Sequence, residues 1–112
     1  MGAVAIAGLL KVNESIKKLY LTDNKIGPMG ADAIAKSVKI NTTLTFLKLG
    51  NNDIGDEGAK AIAGLLKTKK TIIGLELEAN NIGPEGIAAI VEALETNKTL
   101  TLACQPFRGH IF

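Results

Sequence analysis

Leu44-Thr45-Phe46-Leu47-Lys48-Leu49-Gly50-Asn51-Asn52-Asp53-Ile54-Gly55-Asp56-Glu57-Gly58-Ala59 is the stretch that decides the fold. Leu47-Lys48-Leu49 alternates apolar and polar residues, the period of a strand with one buried face. From Gly58 the period changes, and Ala59, Ala61, Ile62, Ala63 and Leu66 fall at helical spacing. The same pattern recurs 28 residues to either side. Asn24, Asn52 and Asn80 share one column, and Leu19, Leu47 and Leu75 another. Leu21, Leu49 and Leu77 keep that spacing, as do Ile16, Leu44, Ile72 and Leu100. Two glycine columns follow, Gly27, Gly55 and Gly83, then Gly30, Gly58 and Gly86.

Working outward, the columns divide the chain. Gly2, Ala3, Ala5, Ile6, Ala7 and Leu10 match the second half of a unit, so 1–14 reads as a half repeat. Whole repeats span 15–42, 43–70 and 71–98, and a partial or capping repeat spans 99–112. Each repeat reads as strand, turn, helix, turn. Pro28 and Pro84 stand near helix starts, where a missing N–H costs little. Asp56 and Glu57 fill the matching first turn and suit the positive end of the helix dipole. Strands joined through helices run parallel. A unit of this size buries its apolar stripe only by stacking on neighbours. The expectation is an α/β solenoid: a right-handed horseshoe with parallel strands on its concave face and helices on its convex face. The wider helix layer forces that curvature. Ala33, Ala35, Ala61, Ala63, Ala88 and Ala89 are expected to let the helices sit close to the strands, and the Asn24 column to satisfy backbone groups at each turn. Both glycine columns are read as turn residues.

The pattern LxxLxLxxNxIGxxGA followed by AIAxxL resembles the ribonuclease-inhibitor-like class of leucine-rich repeats over residues 2–98. That class includes ribonuclease inhibitors, the sensor domains of NOD-like receptors, Ran GTPase-activating proteins and tropomodulin-like actin-binding domains. The resemblance implies a horseshoe whose members mostly bind proteins. One repeat type and one cysteine set this chain apart from ribonuclease inhibitors themselves. The last repeat departs from the pattern: Ala103, Gln105 and Arg108 stand where Leu, Leu and Asn are expected, and Pro106 opposes a further strand. Two readings of the tail stay open, a cap over the array or the point where a longer array is interrupted.

Composition narrows the function. Formal net charge is +2 and aromatics make up 4% of the chain, so no global basic character points to nucleic acid. Residues 1–70 carry a net +5 and residues 71–112 a net −3, a polarity that could favour head-to-tail association. Cys104 is the only cysteine, which with no signal peptide suits a cytoplasmic, reducing setting. No apolar run is long enough to span a membrane, and no membrane partner is expected.

Catalytic and metal constellations are missing from the sequence. His110 is the only histidine, so no histidine cluster holds a metal or runs a triad. No cofactor is expected. The triplets at Asn13, Asn41 and Asn97 share one repeat column, which accounts for them without glycosylation. What the repeat leaves free is the exposed strand face: Lys18, Tyr20 and Thr22, then Phe46, Lys48 and Gly50, then Gly74, Glu76 and Glu78. Exposed aromatics beside charges are what a protein-binding hot spot looks like. Lys18, Tyr20, Phe46, Lys48, Glu76 and Glu78 are therefore the candidate partner-binding residues. The competing expectation is that Lys48 and Glu76 merely pair across strands. The main functional expectation is a non-enzymatic protein-binding module. The alternatives are a Ran-type GTPase-activating protein, whose arginine finger would have to be Arg108, and a self-associating repeat fragment of a longer protein.

Overall fold

The computed structural model describes residues 2–69 and 71–97. In chain order the elements are α1 (Gly2–Val12), β1 (Lys18–Tyr20), α2 (Gly27–Ile40), β2 (Phe46–Lys48), α3 (Gly55–Thr68), β3 (Gly74–Glu76) and α4 (Pro84–Thr96). The strands form one parallel sheet in the order β1-β2-β3, and α1 to α4 pack side by side behind it. This is the α/β leucine-rich repeat solenoid that the columns imply, with an unclosed sheet.

Register follows the repeat. Leu19 pairs with Leu47 and Leu47 with Leu75, so each leucine column becomes a row across the sheet. Behind it, Leu44, Leu49, Ile54, Ile62 and Leu66 are fully buried, whereas Ile16, Leu19 and Ile26 of the preceding repeat are only partly so. The difference is neighbours: the middle repeat has one on each side. Each full burial of a Leu or Ile is worth roughly 1.5–3 kcal/mol.

The Asn24 column works as expected, in fuller form. Asn52 is buried, and its Nδ2 donates to the carbonyls of Leu21 (2.8 Å), Leu49 (3.0 Å) and Gly50 (3.1 Å). Its Oδ1 accepts from the backbone N–H groups of Asn24 (2.7 Å) and Ile26 (3.3 Å) in the preceding repeat. Asn80 repeats the arrangement one unit on. The second asparagine column forms a ladder on the other edge. Asn41 donates to Leu10 and Asn13 carbonyls, and Asn97 to those of Leu66 and Lys69. Lys69 stands in this column in place of asparagine, and its ammonium reaches the Lys39 carbonyl instead (3.3 Å).

Two expectations need correction, and a third is met and extended. Only the first glycine column serves the turn: Gly27 and Gly55 have φ of 72° and 65°, and Gly83 does not share that conformation. Gly30, Gly58 and Gly86 lie inside helices, where a Cβ would stand 2.6 Å from the isoleucine four residues back. They are there for close packing. Ala88 falls in the outward column of Asp32 and Lys60 and is exposed, so it plays no part in seating α4. Finally, Asp56 does more than suit its own helix. Its Oδ1 accepts from the Gly83 N–H (2.6 Å) and Gly86 N–H (3.1 Å), capping α4 from the neighbouring repeat.

Among the described residues, the turns hold six non-glycine residues at positive φ: Asp23, Lys25, Asn51, Asp53, Ala79 and Asn81. Asn and Asp tolerate this region because their short polar side chains bond locally. Here they bond along the array: Asn51 donates to Asp23, and Asn81 to Asp53 (2.6 Å). Ala79, with φ 58°, has no such compensation. Ala79→Gly is expected to stabilise the protein by about 0.5–1 kcal/mol, read as a rise in urea midpoint at unchanged slope. An unchanged or lower midpoint would show that the turn is not strained.

Candidate functional site

The face of the sheet turned away from the helices is built by the pleat. With Leu19, Leu47 and Leu75 facing the core, the residues on either side of them face outward. Register sets these in two rows, Lys18–Phe46–Gly74 and Tyr20–Lys48–Glu76.

Gly74 makes the first row possible. A Cβ there would lie 2.9 Å from Cδ1 of Phe46, so the Phe46 ring leans across β3 into the space a side chain would fill. From that position it meets Tyr20 edge to face, with centroids 6.0 Å apart and planes at 76°. Such a pair is worth roughly 0.5–1.5 kcal/mol beyond its buried area. The Lys48 ammonium stands 4.6 Å from the Tyr20 ring centroid and 6.0 Å from that of Phe46. It also lies 3.6 Å from the Glu76 carboxylate. Lys48 is thus held from both sides, by the ring faces and by an acid. Glu78 bends over Gly50, its Oε2 3.3 Å from where a Cβ would sit.

All six candidate residues belong to this region, but not all are exposed as expected. Tyr20, Lys18 and Glu78 are open to solvent, whereas Phe46, Lys48 and Glu76 are half-buried in mutual contact. The Lys48 and Glu76 side chains retain 31% and 25% of their exposure. The cross-strand pair weighed as the plainer alternative therefore exists, and partial exposure limits it to under about 1 kcal/mol. Sequence reading overlooked what Gly50 and Gly74 do. The available signal was glycine at strand positions where neighbouring repeats carry large side chains.

Among the described residues no group of three or more His, Cys, Asp or Glu side chains is placed to hold a metal. No helix among them is long and apolar enough to cross a membrane. Cys104, Arg108, His110 and the proposed cap lie outside the described residues.

Comparison with known proteins bears on this architecture. The leucine-rich repeat family model matches residues 12–35, 41–63 and 71–91, more than half of the chain. No curated protein matches it. Among solved structures, the chain is similar to leiomodin-1 actin-binding site 2, with 30% identity and a TM-score of 0.81 over 88% of this chain and 58% of that one. It is also similar in fold to the tropomodulin C-terminal domain of Caenorhabditis elegans, with 16% identity and a TM-score of 0.77 over 90% of this chain and 62% of that one. The chain thus spans about three fifths of the length of either structure. With the family model repeated along the array, and each match falling on a strand and its helix, this chain belongs to the leucine-rich repeat family.

Proposed function

We propose that this chain is a non-enzymatic protein-interaction module that takes its partner on the strand face, through Lys18, Tyr20, Phe46, Lys48, Glu76 and Glu78. The observation that carries this reading is the Tyr20–Phe46–Lys48 cluster. It is an exposed tyrosine backed by a second ring and a fixed cation, and it has no role in the core. Rigid aromatic contact area lowers the entropy lost on binding, which is why such clusters dominate interfaces. Binding rather than catalysis also fits a face that offers pre-positioned charges and rings.

The leiomodin-1 structure is an actin-binding site, which makes actin the first partner to test. Co-sedimentation with actin filaments and anisotropy titration with labelled actin monomer are the direct measurements. Capture of partners by the immobilised chain, read by mass spectrometry, extends the test beyond actin. Tyr20→Ala combined with Phe46→Ala and Lys48→Ala should weaken capture of the partner at least about thirtyfold, the scale of a lost 2 kcal/mol hot spot. Wild-type capture by a folded triple variant sinks the strand-face assignment.

A second reading rests on the α1 end of the array. Ile6, Leu19 and Ile26 there are only partly buried, and Ala3, Ile6, Leu21 and Ile26 line a cavity of about 80 Å³. End-to-end stacking of a second copy would cover this end. Sedimentation velocity across concentration tests it, and a monomer at every concentration discards it.

A further inference from the structure

Helices that all run the same way end on the same edge of the solenoid. That edge is unlike the opposite one. Lys11, Lys17, Lys39, Lys67 and Lys69 lie in the three helix-to-strand segments from Lys11 to Lys17, Lys39 to Thr45 and Lys67 to Ile73, where Glu14 is the only acid. The opposite edge is acidic, and most of its acids are engaged within the chain. Asp56 caps α4, Asp23 accepts from Asn51, Asp53 accepts from Asn81, and Glu57 and Glu85 share Lys60. On the basic edge the situation is reversed. Lys67 meets Glu92, and Lys69 reaches a carbonyl, but Lys11, Lys17 and Lys39 make no ion pair among the described residues.

The helix dipole accounts for part of this. Lys11, Lys39 and Lys67 stand in the last turns of their helices and offset the partial negative charge there. It does not account for Lys17, which lies beyond the helix. Nor does it account for the apolar side chains set among the lysines. Val12 and Ile40 follow Lys11 and Lys39 directly and are 77% and 58% exposed. Ile73, in the column of Lys17, is 48% exposed.

We infer that this edge is a second interaction surface, separate from the strand face, and that it takes an acidic polypeptide segment interspersed with apolar side chains. Unpaired ammonium groups supply the charge complement and the on-rate. The exposed Val and Ile supply contact area that water otherwise covers. The features recur in three successive repeats and so form a line along the array. The described residues contain no arginine, so the edge lacks the fork that holds phosphates bidentately. It carries no aromatic side chain either, which removes both the stacking platform of a single-strand nucleic-acid binder and the usual anchor at a lipid interface.

The test uses the whole chain and two fluorescein-labelled peptides of twelve residues, one all glutamate and one with leucine at every third position. Anisotropy should show saturable binding of both at moderate salt, with the leucine-containing peptide tighter. Lys11→Glu with Lys39→Glu should weaken both at least tenfold. Val12→Ser with Ile40→Ser should abolish the preference for leucine and leave the all-glutamate peptide unchanged. Tyr20→Ala with Phe46→Ala should leave both peptides bound as before, which separates this surface from the strand face. All four rim positions are exposed, and a thermal melt verifies the fold of each variant. Absence of saturable binding overturns the inference. So does tighter binding to phosphatidylserine vesicles or to a DNA duplex than to either peptide, or loss of peptide binding in the Tyr20 and Phe46 variant.

Discussion

Asn52→Ala will lower the unfolding free energy by about 3–5 kcal/mol, a large effect for a polar substitution. The amide serves five backbone groups, three carbonyls and two N–H groups. A methyl leaves them without that partner in a site that is 1% exposed. Each buried group left unsatisfied costs roughly 1–3 kcal/mol, and partial entry of water keeps the total below the simple sum. Against a total stability of about 5–15 kcal/mol for an ordinary domain, this is a large share. Asn24→Ala is the control. Asn24 is exposed and serves only the carbonyls of Leu21 and Thr22, so its loss should cost about 1 kcal/mol. Urea unfolding compares the two, and equal losses would refute the ladder account. Because Oδ1 of Asn52 bonds the preceding repeat, hydrogen exchange should accelerate first at the amides of Asn24 and Ile26.

A second large effect is a change of sign between two glycines of one helix. Gly58→Ala should destabilise the protein by about 1–2 kcal/mol, while Gly64→Ala should stabilise it by about 0.5–1 kcal/mol. Both lie in α3, and alanine gains up to about 1 kcal/mol over glycine in either place through helix propensity. At Gly64 nothing lies within 4 Å of the new Cβ, so the gain stands. At Gly58 that Cβ would lie 2.6 Å from Cβ of Ile54 and 3.2 Å from Cβ of Ala31 on α2. Both are anchored close to backbone and cannot rotate away, so the first turn of α3 must open from Ile54 and the helix must shift from α2. Overpacking of this kind costs about 1–3 kcal/mol, more than the propensity gain. Thermal melts read the opposite signs. Stabilisation by both changes would mean that the helices are not held at the distance described.

These two cases show where the repeat was legible and where it was not. The Asn52 column, the leucine rows and the positive-φ glycines Gly27 and Gly55 follow from residues and spacing, because each meets a need that recurs at a fixed position of the repeat. Gly58 looked like another turn glycine, but it lies inside α3, where it packs against Ile54 of its own unit and Ala31 of the preceding one. Asp56 looked like a first-turn acid, and its second partner lies in the next unit. Ala88 looked like a packing alanine until helix phase put it outward.

The strand face divides along the same line. Alternation alone assigned Lys18, Tyr20, Phe46, Lys48, Glu76 and Glu78 to one side of the sheet. How those side chains lean is not a property of any one strand. Phe46 crosses to Gly74, Lys48 settles between two rings and a carboxylate, and three of the six become half-buried as a result. A 28-residue period therefore suffices to set the architecture, because every unit must bury the same stripe against the next. Stacking sets the contacts between units, and with them the capping of α4, the packing of α2 on α3 and the shape of the binding face. Those depend on the distance and rotation between neighbouring repeats, which no single repeat encodes.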